Sequence, residues 1–287
     1  MKNRKPIYFI LGGLMLVSLI LFGVIFQTRN QKLFVAFLDV GQGDAILISQ
    51  GSAQVLIDGG ASGQKLMEKL GEQIPFWDRE IEVVIATHPD ADHIGGLVDV
   101  LRNYTVDHAI ESGAKSDSQV FGAYEKIIED KKTSKLLAVR GMKIKISDEI
   151  ELEVLSPNGE NMENLKDTNS ASVVTRLSFG ENSFLLTGDL PLDLEAQMLK
   201  NNLFSSTKVL KVSHHGSKTA TSVEFLNKVN PEQAVISVGK NNRYGHPTSE
   251  VLERLGAKNI SIFRTDILGD VIYNCGKIKN KCVLEGV

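Results

Sequence analysis

The chain has 287 residues, a formal net charge of −3 at pH 7, and 42% hydrophobic and 23% charged residues. This composition is that of an ordinary globular protein, and it excludes a largely disordered chain. It also excludes a strongly basic nucleic-acid-binding protein, so a polyanionic partner would have to meet a local basic patch or bound metal ions.

The first predicted element is an apolar helix near the N-terminus. Residues 7–26 carry no charge, and a helix of that length spans roughly 30 Å, the thickness of the hydrocarbon core of a bilayer. Basic residues lie on both sides with a slight excess before it, which favours a cytoplasmic N-terminus. We therefore predict a single-pass transmembrane anchor in residues 1–30 and one domain outside the cell in residues 31–287. A cleaved signal peptide and a buried core helix are the alternatives.

Short strands and amphipathic helices alternate along the rest of the chain. Strands are predicted at residues 33–40, 45–49, 54–57, 82–87, 106–110, 142–146, 151–155, 173–179, 183–187, 208–212, 233–238 and 260–263. Helices are predicted at residues 64–72, 94–103, 119–130, 192–201, 222–229 and 249–255. Because strands and helices are interleaved in both halves, the pattern predicts an α/β domain with two sheets packed face to face and helices outside, in the order αββα.

Two cysteines, Cys275 and Cys282, flank a predicted turn near the C-terminus. Outside the cell such a pair can form a disulfide. Spacing alone does not fix the cross-strand geometry that a disulfide needs, so a disulfide and two free thiols are equal alternatives.

The strongest chemical signal is a cluster of four potential metal ligands directly after a predicted strand. His88, Asp90, Asp92 and His93 fall within six residues. Imidazole and carboxylate groups are good ligands for divalent metals, whereas four such groups without a metal would repel one another or leave polar atoms unsatisfied. The alternative, in which Asp92 caps a helix beside surface histidines, explains only one of the four. The cluster therefore predicts a metal site.

Further ligand-type residues follow later strands. Asp189 lies in a Gly-Asp turn after the strand at 183–187, where one carboxylate can bridge two metals, although Gly-Asp is also a common turn signal. His214 and His215 follow the strand at 208–212, and His246 lies in a later loop. A ligand role is favoured for His214, while metal ligation and substrate contact are equal alternatives for His215 and His246.

Together these motifs resemble the metallo-β-lactamase superfamily and, within it, the extracellular hydrolase domain of the ComEC family of competence DNA-uptake proteins. The His-x-Asp-x-Asp-His sequence at 88–93 is similar to the metal motif of the superfamily. The resemblance covers residues 37–45, 56–60, 87–96, 169–174, 185–190, 211–217 and 237–247, and it continues at 264–269. It implies a four-layer αββα metallo-β-lactamase sandwich with its site at the strand ends.

The resemblance also implies roles for individual residues. The implied metal ligands are His88, Asp90, Asp92, His93, Asp189 and His214. The first two would hold one ion, Asp189 would bridge, and the others would hold the second ion. The predicted catalytic residues are Asp92, His215 and His246. The residues expected to contact a ligand or the substrate are Asp39, Gln42, Asp44, Asp58, Asn169, Ser172, Ser217 and Tyr244, with Asp58 orienting His93.

One stretch departs from the superfamily pattern. Many members supply a third histidine to the first ion, whereas this chain has Asn169-Ser170-Ala171-Ser172 there, as ComEC-like proteins do. A site that is rich in carboxylates and one ligand short favours a hard ion such as Mn²⁺ beside or instead of Zn²⁺. The prediction is therefore two divalent ions, Zn²⁺ or Mn²⁺.

The predicted function is hydrolysis of a phosphodiester, with DNA as one such substrate, by a metal-bound hydroxide. His215 or His246 would contact the phosphate or protonate the leaving group. Basic residues near the histidine loops are candidates for contacting a polyanion, with solvated surface as the equal alternative. These basic residues are Lys211, Lys218, Lys240 and Arg243.

Two other functions stay open. The same site can hydrolyse another surface ester or amide, such as a phosphocholine ester, a lactone or a β-lactam. A binding module that holds DNA or wall polymer through metals without turnover is the second alternative. ComEC proteins have many membrane spans, whereas only one is predicted in this chain. The resemblance therefore applies to the chemistry of the site and not to a channel function.

Overall fold

The computed structural model describes residues 5–29, 32–159, 162, 165–276 and 281–285. Its helices are α1 (Lys5–Arg29), α2 (Gly63–Gln73), α3 (Ala91–Asn103), α4 (Gln119–Lys131), α5 (Leu192–Lys200), α6 (Val223–Val229), α7 (Ser249–Gly256) and α8 (Thr265–Leu268). Its strands are β1 (Leu33–Phe37), β2 (Ile46–Gln50), β3 (Ala53–Ile57), β4 (Glu80–Ala86), β5 (Thr105–Glu111), β6 (Ser134–Leu137), β7 (Lys143–Ser147), β8 (Ile150–Ser156), β9 (Val174–Phe179), β10 (Asn182–Leu186), β11 (Val209–Lys211), β12 (Gln233–Ile236), β13 (Ser261–Arg264), β14 (Val271–Gly276) and β15 (Lys281–Leu284). Single turns of 3-10 helix lie at Thr168–Ala171 and Ser213–Gly216.

In the described part of the chain the strands form two sheets. The N-terminal sheet has the order β15-β14-β1-β2-β3-β4-β5-β6, and the C-terminal sheet has the order β13-β12-β11-β10-β9-β8-β7. Strands β3 to β6 are parallel neighbours in the first sheet, and β10 to β13 are parallel neighbours in the second. Parallel strands place their C-terminal ends at one edge of a sheet, so the loops that follow them lie side by side.

Alternating side chains explain why the two sheets pack face to face. On β1, Leu33, Val35 and Phe37 belong to a core shared with Leu152 and Val154 of the other sheet. The intervening Ala36 belongs to a separate core beneath α2, α3 and α4. Because successive side chains of a strand point to opposite faces, one face of each sheet meets the other sheet and the opposite face is left for helices.

Helices cover both outer faces. Leu70 of α2 and Leu97 of α3 pack against the N-terminal sheet. Met198 of α5, Phe225 of α6 and Val251 of α7 pack against the C-terminal sheet. The predicted four layers, αββα, are therefore confirmed.

Helix α3 lies against the loop that follows β3, and glycine makes this approach possible. A Cβ atom at Gly96 would lie 2.0 Å from the carbonyl oxygen of Gly59. The N–H of Gly96 donates a hydrogen bond to the carbonyl of Gly60 at 2.9 Å. Since Asp92 and His93 lie in the first turn of α3, this close approach positions two of the predicted metal ligands.

We expect Gly96→Ala to lower the free energy of unfolding by roughly 1–3 kcal/mol, because the backbone of α3 must move away from Gly59. Gly122→Ala in α4 is the matched control, since a Cβ there meets no atom within 4 Å. A glycine replaced by alanine in an open helical position typically stabilises a protein by about 0.4–1 kcal/mol. Urea unfolding measures both variants, and equal stabilities would contradict the close approach.

Helix α1 covers the apolar N-terminal segment. Side chains are described for residues 7–23 of this helix, and all of them are exposed. No helix in the described part of the chain combines the length with the hydropathy that crossing a membrane requires. The helix that we predicted is thus present, whereas its prediction as a transmembrane segment is not supported.

Strand β6 was not predicted, because its sequence lacks the alternation that marks a half-buried strand. All four of its residues are exposed. It lies at the edge of the N-terminal sheet and pairs with β5. Its position therefore follows from tertiary pairing rather than from a local pattern.

The two cysteines face each other across a hairpin. Cys275 on β14 is paired in register with Cys282 on β15, and the two form a disulfide. The structure thus decides between the two alternatives that spacing left open. Most of the predicted turn between them lies outside the described residues.

Candidate metal centre

The predicted ligands converge where the strand ends of the two sheets meet. In the N-terminal sheet, His88 follows β4, and Asp92 and His93 lie at the start of α3. In the C-terminal sheet, Asp189 follows β10 and His215 follows β11. Because each half of the chain supplies part of the cluster, the site forms only when the sheets pack together.

The facing atoms of these side chains are close enough to share metal ions. Asp189 Oδ2 is 3.3 Å from His93 Nε2 and 3.4 Å from His215 Nε2. Asp92 Oδ2 is 3.6 Å from His215 Nε2. Two sets of three ligand atoms each lie within 4.8 Å of one another, one from His88, His93 and Asp189, the other from Asp92, His93 and His215. The two sets adjoin, as the ligands of a pair of ions would.

Hydrogen bonds fix which nitrogen of each ring on the N-terminal side is free. The Thr87 hydroxyl donates to Asp58 Oδ2 at 2.7 Å, so at His88 Nδ1, 3.0 Å away, it accepts. His93 Nδ1 lies 2.8 Å from Asp58 Oδ2, which also accepts. Both rings therefore carry a proton on Nδ1 and direct Nε2 toward the cluster. The contact predicted between Asp58 and His93 is present.

The same arrangement holds for His215, whose Nδ1 lies 2.9 Å from the carbonyl oxygen of Ser237. Among the described residues, Nε2 of His88, His93 and His215 and Oδ1 of Asp189 are buried without a hydrogen-bond partner. Buried polar atoms without a partner are rare in native proteins, and one established reason for them is that they bind an ion. Imidazole and carboxylate donors that converge in this way fit a divalent metal pair.

We expect Asp58→Asn to lower metal affinity by about 10–100-fold, because it removes the charged acceptor that orients His93 and bonds Thr87. Asp107→Asn, an exposed position on β5, is the matched control. Competition with a chromophoric chelator measures both affinities. An Asp58→Asn affinity equal to that of the control would show that Asp58 does not act through the ligands.

The structure places His215, rather than His214, in the group with Asp92 and His93. His215 is buried, whereas the side chain of His214 is partly exposed, with Nε2 3.8 Å from Asp189 Oδ2. Both histidines have positive φ, 51° and 53°, a left-handed backbone that breaks the alternation of a strand. The structure therefore brings His215 into this group and leaves His214, for which the resemblance implied a ligand role, outside it.

Asp90 lies at the outer rim of the cluster, with a side chain that is 38% exposed. Its Oδ2 is 3.7 Å from His88 Nε2, and its Oδ1 accepts a hydrogen bond of 2.5 Å from the Thr168 hydroxyl. The turn that begins at Thr168 includes Asn169, whose Oδ1 is buried without a hydrogen-bond partner. Residues 169–172, where many members of the superfamily supply a third histidine to the first ion, therefore lie beside Asp90.

Two of the supporting residues contact the predicted ligands directly. The Ser172 hydroxyl accepts a hydrogen bond of 3.1 Å from the backbone N–H of Asp189. Asp44 is buried, and its Oδ1 lies 3.4 Å from His215 Nδ1. Both lie next to residues that are predicted to be metal ligands.

Three other residues that were expected to contact a ligand or the substrate form hydrogen bonds within the surrounding loops, as far as the described residues show. Asp39 accepts a hydrogen bond from the backbone N–H two residues later. Gln42 Oε1 accepts from the N–H of Gly239. Ser217 bonds to the hydroxyl of Thr219. Their observed contacts are with loop residues rather than with the ligands.

His246 and Tyr244 form a row of rings that leads outward from the cluster. The His246 ring lies 5.7 Å from the ring of His214 and stacks on Tyr244 at 5.8 Å. Tyr244 is 51% exposed. Burial, followed by the nearby His214 and His215, lowers the pKa of His246, so this ring is neutral near pH 7. His246 therefore lies between His214 at the cluster and the exposed Tyr244.

Opposing effects set the charges within the cluster. Burial alone would lower the pKa of His93 and His215, but carboxylates, Asp189 first, raise the pKa of His93 well above its usual value and that of His215 to about 9. Burial and then His93 lower the pKa of His88 to about 3. A metal that enters the site must therefore displace protons from two of the three histidines.

The basic residues near the cluster separate into two kinds. Lys218, Lys240 and Arg243 are exposed, as a contact for a polyanion requires. Lys211 is completely buried, so neither alternative given for it, a polyanion-binding patch or solvated surface, applies. The available signal was its place between Leu210 and Val212, where a charged residue interrupts an apolar strand.

Thr87 and Ser237 were missed as partners of the ligands. Thr87 connects Asp58 with His88, and the carbonyl of Ser237 fixes the ring of His215. Thr87 directly precedes the metal motif, which is a weak signal. No sequence pattern marks Ser237, because its contact is made by the backbone.

Comparisons with known proteins agree with this geometry. A family model described as the metallo-beta-lactamase superfamily matches residues 38–240. The chain is 34% identical over 265 residues to ComE operon protein 3 of Bacillus subtilis and 33% identical over 246 residues to Recombination protein 2 of Haemophilus influenzae. Each match covers 83% of this chain but only 32% and 28% of the respective relative. The chain thus spans about a third of the length of these curated relatives.

A solved structure shows the same fold. The metallo-beta-lactamase fold protein YhfI of Bacillus subtilis superposes with a TM-score of 0.55 and 12% sequence identity, over 85% of this chain and 99% of that one. At this identity the likeness extends to the fold and not to the substrate.

Proposed function

Because the chain belongs to the metallo-β-lactamase superfamily and is related to ComEC-like competence proteins, we propose that this hydrolase cleaves phosphodiesters with two divalent ions. The observation that carries the proposal is the convergence of buried Nε2 and carboxylate atoms without partners from both sheets. Such a donor set is suited to a metal pair, and a metal pair is suited to displacement at phosphorus.

We assign the ligands from the groups of converging ligand atoms and, for Asp90, from the resemblance and its distance of 3.7 Å from His88 Nε2. His88 and Asp90 would hold one ion, Asp92, His93 and His215 the other, and Asp189 would bridge them. The first position combines one imidazole with carboxylates, which favours Mn²⁺ beside or in place of Zn²⁺. When bound, such a pair lowers the pKa of water and stabilises the attacking and leaving oxygens of a phosphodiester.

The chain's own residues prepare the site and receive the substrate. Asp58 and the Ser237 carbonyl keep the histidine rings turned with Nε2 inward. His246 is neutral near pH 7 and lies beside His214 in the row of rings that leads outward from the ligands, so it is placed to hydrogen-bond the phosphate or the leaving oxygen of a substrate that enters there. The exposed Lys240 and Arg243 flank the same loop and would attract a polyanion such as DNA.

A substrate panel tests the proposal. Full-length protein loaded with Mn²⁺ or Zn²⁺ should hydrolyse bis-p-nitrophenyl phosphate and DNA, and it should turn over a phosphocholine ester, a lactone and a β-lactam more slowly. Preferential turnover of one of the last three would replace the phosphodiester assignment by another ester or amide. Metal-dependent binding of DNA without turnover of any substrate would indicate a binding module instead.

We also propose that α1 anchors the chain in a membrane, with the metal centre outside the cell. The support is its exposed apolar surface, on which Phe9 is 80% and Met15 is 67% exposed. Such a surface is unfavourable in water and favourable in lipid. Alkaline extraction of cell membranes should leave the chain in the pellet, and protease added to intact cells should remove the domain after residue 31. Release by alkaline extraction would contradict the anchor.

A further inference from the structure

Lys211 is a buried cation where the two halves of the metal centre meet. It ends β11 and has no exposed surface. Its Nζ forms an ion pair with Asp44 Oδ2, donates a hydrogen bond of 3.1 Å to the carbonyl of Gly188, and lies 3.8 Å from Asp189 Oδ1. A buried ammonium group is costly without such partners, so these contacts define its role.

Asp44 is placed where a metal ligand could be. Its carboxylate forms a group of ligand atoms within 4.8 Å with Asp189 and His215, and a second such group with Asp58 and His93. One of its oxygens is nevertheless engaged by Lys211. Its other oxygen lies 3.4 Å from His215 Nδ1.

The charges of the site support the same assignment. The carboxylates at the site are those of Asp44, Asp58, Asp90, Asp92 and Asp189. Two divalent ions would balance four of these five charges, and Lys211 balances the fifth when the histidines are neutral. This balance is complete with Asp44 paired to Lys211 rather than bound to an ion.

We propose that Lys211 is a positioning residue that binds Asp44, keeps this carboxylate out of the metal coordination, and leaves its second oxygen facing His215. The contact also ties the sheets together. Asp44 lies between β1 and β2 of the N-terminal sheet, whereas Lys211 ends β11 of the C-terminal sheet and His215 lies in the turn that follows it. The inference rests on the proposed metal centre but does not depend on which substrate is hydrolysed.

Cobalt loading tests the proposal on the full-length chain. In Lys211→Met, Asp44 should be released and bind the metal, which raises the coordination number and weakens the visible Co²⁺ absorption. Adding Asp44→Asn to Lys211→Met should restore the wild-type band shape. Lys200→Met, an exposed lysine on α5, is the matched control and should leave the spectrum unchanged. A folded Lys211→Met protein with the wild-type spectrum would overturn the inference.

Lys211→Met leaves a buried carboxylate unpaired and is at risk of not folding. If Lys211→Met does not fold, the double variant Lys211→Met/Asp44→Asn provides the test, because it contains no unpaired buried carboxylate. Its affinity for Zn²⁺ should be about tenfold below wild type, because His215 loses the carboxylate beside its ring. Wild-type affinity in the folded double variant would reject the positioning role. If wild-type protein itself takes up no metal, the proposed metal centre fails instead, so the two failures are distinguishable.

Discussion

Asp189→Asn is expected to lower kcat/KM for a phosphodiester by on the order of 10³-fold, which corresponds to about 4 kcal/mol of transition-state stabilisation. The reason is geometric. One oxygen of Asp189 lies within 3.3 to 3.8 Å of Nε2 of His93, His215 and His214. Among the described residues, no other carboxylate contacts as many of the histidines. Asparagine keeps the size of the side chain and removes the charge that a bridging ligand needs.

Asp193→Asn provides the matched control for this experiment. Asp193 is exposed in the first turn of α5, four residues from Asp189. Its substitution should change kcat/KM less than twofold. Steady-state rates at saturating metal, together with the metal content of each variant, separate loss of chemistry from loss of metal. An Asp189→Asn enzyme with the activity of the control would remove Asp189 from the mechanism.

As the pH is lowered from about 9 to 7, we expect the affinity for the metal to fall about 100-fold for each pH unit. Each proton that a metal must displace contributes about tenfold per pH unit. His215 has its pKa raised to about 9, and that of His93 is raised well above its usual value, so two protons compete. Calorimetric titration in buffers of different ionisation enthalpy should count about two protons released. Affinity that is constant between pH 7 and 8 would contradict the raised pKa values.

The same pKa values predict the opposite pH dependence for the stability of the metal-free protein. A histidine with a raised folded-state pKa stabilises the fold fully below its unfolded pKa of about 6.5, and this contribution is lost as pH rises through the folded value. For His215 that window extends from about 6.5 to about 9. The Tm of chelator-treated protein should therefore fall across this range, while that of metal-loaded protein should change less.

Sequence reasoning succeeded where the information is local. The cluster at His88 to His93 carries four ligand types in one loop, and the alternation of apolar residues predicts both sheets and the helices outside them. Strand β1 is an example, because its continuous apolar run from Leu33 to Phe37 predicts a strand that is buried on both faces.

It fell short where the outcome depends on backbone direction or on distant partners. His214 and His215 are adjacent, and two consecutive left-handed residues determine which ring enters the cluster. From the sequence, Lys211 resembles a surface lysine. Its burial depends on the ion pair with Asp44, which comes from the other sheet. The exposed edge strand β6 lacks a pattern of its own. Each of these features is a property of the assembled sheets, not of a segment.

The presence of two ions can be observed directly in an anomalous-difference map from crystals of the protein grown with Zn²⁺ or Mn²⁺. We expect two peaks, one beside His88 and Asp90 and one beside Asp92, His93 and His215, with Asp189 between them. A map without a peak at these side chains, or with the metal held elsewhere on the chain, would contradict this expectation.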